Sequence, residues 1–593
     1  MQDESKQIGK IFDGKTLQDL FVFAKPYMGF FYLLIFLTIF LTILSTARPF
    51  LIQYTIDHYV LKGNMNALLS MMGFLVGLIV LQAITEYSNS YLSDWLGQTI
   101  IKDIRIKLFR HLMTFRLKFY DSTPIGRLIT RNISDVESLA DVFSEGIAAM
   151  TGDLLQVLSI LGIMLYLDWK LTLVSLASFP FLLLATYIFK ESIKVSFNDV
   201  RLAVAKLNTF VQEHITGMSV VQIFNSEKRE YKKFLKINEE HRDANLKSVL
   251  AYSIYFPVVE VISAVGTGMC IWYGSMGILD GFTTEGTLVA FILYLSMFFR
   301  PIRQIADRFN TLQMGIVSAH RLLNLLNDNE PMQHSGKQSL QNLKGKVEFK
   351  NVWFSYNEGQ DVLKNISFTA EPGQTIALVG ATGAGKSSII NILNRFYEIN
   401  RGEVLIDGIN ISQLDLAELR QHIGLVLQDV FLFSGSIADN ITLNDPNITR
   451  EQLEATAELV GASEFIRKMP NGFDYEVMER GATLSVGQRQ LVSFVRAMVY
   501  NPKILVLDEA TSSVDTETEE TIQLAIEKMM KGRTSLVVAH RLSTIQKADR
   551  ILVMEKGEIV EQGKHAELLA LNGYYTQLYH MQSLTGQHEI SVV

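Results

Sequence analysis

The sequence holds one cysteine, Cys270, among 593 residues. A single thiol builds no intrachain disulfide and no zinc cluster, and its apolar surroundings point to a small buried hydrophobe. Charge is also scarce, at 19% against 48% hydrophobic residues. Soluble domains carry more, so membrane spans are expected. The net charge of −7 gives no sign of nucleic-acid binding, and no nucleic-acid partner is expected. No cleavable secretory signal is expected either. The chain is polar and mixed in charge up to about Pro26, and the first apolar segment is expected to stay as an anchor. Low-complexity segments and short-period repeats are absent.

What is present is unevenly placed. Six long apolar stretches fill the first half, at Met28–Thr46, Leu68–Leu92, Ile147–Leu167, Leu171–Phe189, Ile254–Leu279 and Thr287–Phe309. Each can cross about 30 Å of hydrocarbon as a helix. The lipid bilayer is thus a partner. Lys and Arg gather in the N-terminal arm (Lys6, Lys10, Lys15, Lys25) and in the connections after spans two and four, whereas the opposite loops hold Lys62 and Lys170. This bias puts both termini in the cytoplasm of a multi-pass protein of the cell membrane. Gln98–Arg116 and Val195–Asn225 keep helical spacing between their charges, so the spans should continue as helices beyond the bilayer. Pro124 and Gly126, within Phe119–Arg127, and Gly217, within Glu213–Met218, predict turns at two hairpin tips suited to docking another domain. Glu86, Glu260, Arg300 and Arg303 lie in spans. Such residues line a substrate cavity, pair with a polar group of another helix, or snorkel. Pro257 is expected to kink the fifth span.

A polar stretch, Asn327–Lys344, reads as a linker. From Gly345 short Val/Ile/Leu runs alternate with helical segments, the texture of an α/β nucleotide-binding domain. The expected division is an arm at 1–26, a membrane domain at 27–326, the linker at 327–344, a nucleotide-binding domain at 345–582 and a tail at 583–593. Gly380-Ala381-Thr382-Gly383-Ala384-Gly385-Lys386-Ser387-Ser388 satisfies the phosphate-loop pattern. It sits between a strand, Thr375–Val379, and a helix, Ser388–Leu393, the context the motif needs. The glycines let backbone N–H groups face phosphate oxygens, Lys386 reaches the outer phosphates of ATP and Ser387 ligates Mg²⁺. A second apolar strand, Ile504–Leu507, ends in Asp508 and Glu509. Asp508 can hold Mg²⁺, and Glu509 can polarise the attacking water.

Between these motifs stands Leu484-Ser485-Val486-Gly487-Gln488. Here the chain resembles the ATP-binding cassette (ABC) transporter family, whose signature reads LSGGQ, and the resemblance extends over about residues 15–582. It implies an all-α membrane domain of six helices with long cytoplasmic extensions, followed by a cytosolic α/β P-loop NTPase. It implies that Tyr356 stacks on adenine, that Gln428 ligates the metal and relays to the membrane domain, and that Asp515 belongs to the D-loop. It also makes His540 the switch histidine, aligns Glu476–Gly481 with the loop before the signature (Met478 replacing a usual glycine), and casts Phe119–Arg131 and Glu213–Phe224 as coupling regions. The signature would bind a nucleotide held by a second half-transporter.

Val486 departs from the family pattern. Valine adds bulk and restricts φ where glycine permits close approach to phosphate. Glu509 and His540 are intact, so an unequal pair of sites is expected, with a heterodimer favoured over a homodimer. The expected function is ATP-driven export of small amphipathic, drug- or lipid-like compounds. An importer of the same fold, or an ATP-dependent sensor or assembly factor, stands as the alternative.

Overall fold

The computed structural model describes residues 22–142, 149–328, 336, 338–339, 343–508, 516–539 and 541–581. Two compact units emerge. One comprises Met1–Met113 with Thr123–Asn329, and the other Thr114–Ser122 with Glu330–Val593.

The first unit is helical. Among the described residues five helical stretches are long and apolar enough to cross a membrane, namely Val22–Val60, Met65–Leu112, Ala149–Leu167, Trp169–Thr216 and Glu227–Leu279. The predicted sixth span falls in the helix Glu285–Asn327. It is not one of the five; the side chains over 302–310, where the predicted span ends, lie outside the described residues. The third span begins at Ala149, and its predicted start at Ile147 lies outside them as well. Helices satisfy every backbone N–H and C=O internally, which hydrocarbon demands. Met65–Leu112 has 48 residues and Glu227–Leu279 has 53. At 1.5 Å per residue they reach roughly 70–80 Å, more than twice a bilayer core, as the charged helical spacing predicted.

The fourth span is interrupted. Helix Trp169–Ser175 passes through a 3₁₀ turn, Leu176–Ser178, into Phe179–Thr216. Pro180 stands in the first turn of the new helix, where its missing N–H costs least. Pro257 lies inside a helix that continues through it. The tips turn near their predicted positions, at Thr123-Pro124 between Leu117–Ser122 and Ile125–Thr130, and at Gly217 between Phe179–Thr216 and Met218–Ile223.

Packing in this unit relies on small residues. Gly266, Cys270, Gly274 and Gly277 form a buried stripe on Glu227–Leu279. A Cβ at Gly266 would stand 2.7 Å from Ser178 Oγ, and one at Gly274 would stand 2.6 Å from Leu288 Cδ1. Helices approach closely only where such residues meet. The turn before Glu285–Asn327 is tied to two other hairpins. The Thr283 hydroxyl donates to Asp168 (2.7 Å), the Thr284 hydroxyl to Asp57 (2.7 Å), and the Gly286 amide to Asp57 (2.9 Å).

The second unit is built on three sheets. Strands β1 (Val347–Phe354), β2 (Leu363–Ala370), β4 (Arg401–Ile406) and β5 (Ile409–Asn410) form an antiparallel sheet, in order β2-β1-β4-β5. The central sheet uses β3 (Thr375–Gly380), β6 (Ile423–Val426), β9 (Ile504–Asp508), β10 (Thr534–Val538), β11 (Arg550–Glu555) and β12 (Glu558–Gly563). Its order is β12-β11-β3-β10-β9-β6, parallel except for β12. Two short strands, β7 (Gly435–Ser436) and β8 (Glu476–Val477), pair separately. The central strands are apolar on both faces, as a covered parallel sheet requires. Leu505, Leu507 and Val537 face one core with Leu491 and Phe494, whereas Ile504, Val506 and Leu536 face the other with Ile389, Ile390 and Phe349.

Gly286→Ala would place its Cβ 2.5 Å from Asp57 Oδ1 and 2.6 Å from the Gln53 carbonyl oxygen. Relieving that overlap should cost about 1–3 kcal/mol, read as a lower melting temperature of the detergent-solubilised protein. Gly77→Ala, whose Cβ meets nothing within 4 Å, is the control and should melt like the parent.

Candidate nucleotide site

The register of the central sheet builds this site. Val538 of β10 pairs with Leu378 of β3 on one side and with Asp508 of β9 on the other. Val426 of β6 pairs with Leu507. The carboxyl ends of all four strands therefore share one edge, where α/β sheets bind ligands. The loop after β3, the acidic end of β9 and the stretch after β6 leave from it.

The phosphate loop runs from Gly380 into helix Lys386–Leu393. Gly383 and Gly385 hold φ of +82° and +101°, a left-handed backbone that glycine adopts without penalty. A Cβ at Gly385 would also stand 2.6 Å from Leu363 Cδ2. Thr382 is exposed, and Ala384 is buried beneath the loop. Lys386 is 7% exposed, and its Nζ donates to the carbonyls of Gly380 (2.8 Å) and Ala381 (3.0 Å). Burial lowers its pKa, while nearby Asp508 pulls the other way. The ammonium is thus partly desolvated and poised beside the loop, where an anion gains most from it.

The Ser387 hydroxyl donates to Asp508 Oδ2 at 3.3 Å, so two of the three predicted metal ligands meet. A hydroxyl and a carboxylate side by side are hard oxygen donors of the kind Mg²⁺ takes together with substrate phosphates. The donor set therefore fits the ion, and these two residues would hold it. Gln428, two residues beyond β6, is exposed.

Tyr356 is tied to the loop. Its hydroxyl shares a hydrogen bond with Ser388 Oγ (3.1 Å) and accepts one from Asn391 Nδ2 (3.1 Å). Its ring packs edge-to-face with Phe354 and Tyr397. Asn391 and Tyr397 escaped sequence reasoning. The one available signal was that Asn391 follows Ser388 by three residues, on the same face of a helix.

The signature occupies a helix start. Ser485 caps helix Val486–Met498, its Oγ accepting from Gln488 N–H (3.2 Å) while Gln488 Oε1 accepts from Ser485 N–H (2.9 Å). Ser485 is exposed, whereas Leu484 and Gly487 are buried. Val486 opens the helix and is 46% exposed. The expected backbone restriction is therefore corrected. Helical φ suits valine well, and only its bulk distinguishes it from glycine there. Met478 is likewise exposed. Glu509, Asp515 and His540 lie outside the described residues. Glu86, Glu260 and Arg300 are exposed on three different helices, Met65–Leu112, Glu227–Leu279 and Glu285–Asn327; the side chain of Arg303 lies outside the described residues.

Comparison with known proteins agrees with both halves. Residues 31–302 match the family model of the ABC transporter transmembrane region, and residues 363–512 match that of the ABC transporter. A probable multidrug resistance ABC transporter ATP-binding/permease protein of Bacillus subtilis, YheH, is 39% identical over 85% of this chain and 76% of its own length. An uncharacterized ABC transporter ATP-binding protein of the same organism, YknV, is 37% identical over 98% and 96%. The putative ABC transporter ATP-binding protein exp8 of Streptococcus pneumoniae is 37% identical over 96% and 97%.

Gly385→Ala combines left-handed strain with a clash against Leu363. It should cost roughly 1–3 kcal/mol locally and weaken ATP binding about tenfold or more. Titration with a fluorescent ATP analogue checks this; unchanged affinity would mean that the loop tolerates a side chain.

Proposed function

This chain belongs to the ABC transporter family, a transmembrane region and an ATP-hydrolysing cassette in one polypeptide, and from that premise we propose that it exports small amphipathic compounds by alternating access as one half of a dimer. The observation that carries the reading is the meeting of Lys386, Ser387 and Asp508 at the edge of the central sheet. Relatives named for multidrug resistance support a drug-like substrate.

The placement of the two proposed phosphate-binding elements supports a dimer. The helix after the phosphate loop packs on one face of the central sheet and the signature helix on the other. Our reading is that the phosphate loop of one subunit and the Ser485 helix start of the other close on the same nucleotide. Helix N-termini favour anions. Tyr356 contacts the adenine. Lys386 and His540 neutralise growing charge on the phosphate, Glu509 orients the water, and Asp515 and Gln428 line the interface. Ser387 and Asp508 would hold Mg²⁺, whose charge would add to the neutralisation of the phosphates. ATP is then glue between cassettes, and its cleavage removes the glue.

The second tip presents exposed Ile215, Val220, Ile223 and Phe224, apolar surface that a second subunit would cover. Both tips would carry cassette closure to the spans, which enclose a cavity touched by Glu86, Glu260 and Arg300. We place the arm at 1–26, the membrane domain at 27–326, the linker at 327–344, the cassette at 345–582 and the tail at 583–593, with both termini cytoplasmic. Val486 at an exposed helix start narrows the approach of a partner's phosphate. We therefore favour a heterodimer in which this chain's own phosphate loop and Glu509 hydrolyse against a partner's full signature.

Glu509→Gln should lower steady ATPase activity by about 10²–10⁴-fold while leaving ATP binding intact. Continued turnover would remove Glu509 from its role. The chain purified alone should hydrolyse ATP weakly; full, cooperative activity as a homodimer would refute the unequal pair. Inside-out vesicles should accumulate a fluorescent amphipathic dye on adding ATP, and ATP-driven loss of preloaded dye would reverse the direction.

A further inference from the structure

The unit that holds the nucleotide site also contains Thr114–Ser122, a segment of the first tip. One point of its attachment is specific. The Tyr397 hydroxyl donates a hydrogen bond to the Asp121 carboxylate. The Tyr397 ring stands perpendicular to that of Tyr356, with centroids 4.8 Å apart and an angle of 89°. Phe354 completes a three-ring cluster, 4.7 Å from Tyr356 and 5.8 Å from Tyr397. Tyr356 in turn is held by Ser388 and Asn391 on the helix that follows the phosphate loop.

Each link has a physical role. The Asn391 amide donates to the Tyr356 hydroxyl, and that hydroxyl shares a further hydrogen bond with Ser388 Oγ, so two groups of the helix hold it. Edge-to-face contact fixes the angle between the two tyrosine rings, because the positive edge of one ring prefers the negative face of the other. Burial, followed by the bond to Asp121, raises the Tyr397 pKa. The phenol therefore keeps its proton and remains a donor to the carboxylate. A charge-assisted bond of this kind is about twice as strong as a neutral one.

We propose that Tyr397 is a positioning residue of the nucleotide site, anchored by Asp121 and acting through the ring of Tyr356. The inference rests on the reading of Tyr356 as the adenine contact. It adds that the orientation of Tyr356, and hence affinity for the nucleobase, is set by a carboxylate on the first tip. In this role Tyr397 acts through Tyr356 and needs no contact of its own with the nucleotide. Its bond to Asp121 fixes where its own ring stands, and that ring limits where Tyr356 can stand. Losing the Asp121 bond frees Tyr397 to tilt, and Tyr356 must then be ordered by the nucleotide at a cost in affinity.

The test uses the full-length chain with its partner subunit in lipid nanodiscs. Binding of trinitrophenyl-ATP and steady-state ATPase kinetics are both measured. Tyr397→Phe keeps the ring and removes the hydroxyl, whereas Asp121→Ala removes the acceptor. Each should raise Kd and KM for ATP about fivefold, the equivalent of one hydrogen bond, with kcat at saturating ATP held within about twofold. The double variant should be no worse than either single, since both break the same link. Asp121→Asn retains an oxygen that accepts from Tyr397 and should bind ATP nearly as the parent does. Unchanged Kd in Tyr397→Phe, additive losses in the double variant, or a fall in kcat without a rise in KM would overturn the proposal. Tyr356→Ala separates the two layers. If it raises Kd while Tyr397→Phe does not, the relay alone fails. If it leaves Kd unchanged while Lys386→Ala raises it, the adenine reading fails and takes the relay with it.

Discussion

The parallel register of β3, β10 and β9 is the constraint on which the rest depends. It aligns Leu378, Val538 and Asp508 across three strands, so a glycine loop and a carboxylate more than a hundred residues apart leave the sheet at one edge. Shifting one strand by a single residue would exchange its two faces. Leu505 and Leu507 would then leave one core for the other, and both cores would lose their packing. The geometry of Lys386, Ser387 and Asp508 is thus held by the burial of residues that touch no ligand.

The membrane half answers to a different constraint. In hydrocarbon, unsatisfied backbone groups cost several kcal/mol each, so its segments are helices whatever their side chains prefer. Side chains then decide contacts. Small residues on Glu227–Leu279 admit close neighbours, and Asp57 and Asp168 gather three hairpin ends through Thr283 and Thr284. Large apolar side chains such as Phe36, Ile84 and Leu184 stay exposed, as expected where the surrounding solvent is lipid.

Part of the candidate site's geometry was legible in advance because its chemistry is local: Ser387 and Asp508 do meet, whereas Glu509, Asp515 and His540 lie outside the described residues. The phosphate loop is a contiguous run whose spacing follows from backbone geometry, and an apolar strand ending in acids is equally compact. Val486 shows the limit of such reading. Replacing glycine by valine suggested a restricted backbone, yet the position opens a helix where valine's φ is unremarkable. Only the fold told which of two consequences of the residue, stiffness or bulk, remains. Tyr356 shows a second limit. The sequence offered an aromatic residue, but not its bonds to Ser388 and Asn391 or its packing against Tyr397.

By itself the sequence determined what depends on neighbours along the chain. That includes which segments suit a bilayer, where proline and glycine turn the tips, and which loop suits phosphate. Periodicity and composition act over one or two turns of helix or one strand, so they can be read in order. Tertiary structure decided what depends on residues far apart. It brought Ser387 to Asp508, Tyr397 to Asp121 and Thr284 to Asp57, and it put the signature helix and the phosphate-loop helix on opposite faces of one sheet. Those pairings follow from sheet register and helix packing, whose energies are summed over many buried side chains and belong to no single stretch of sequence.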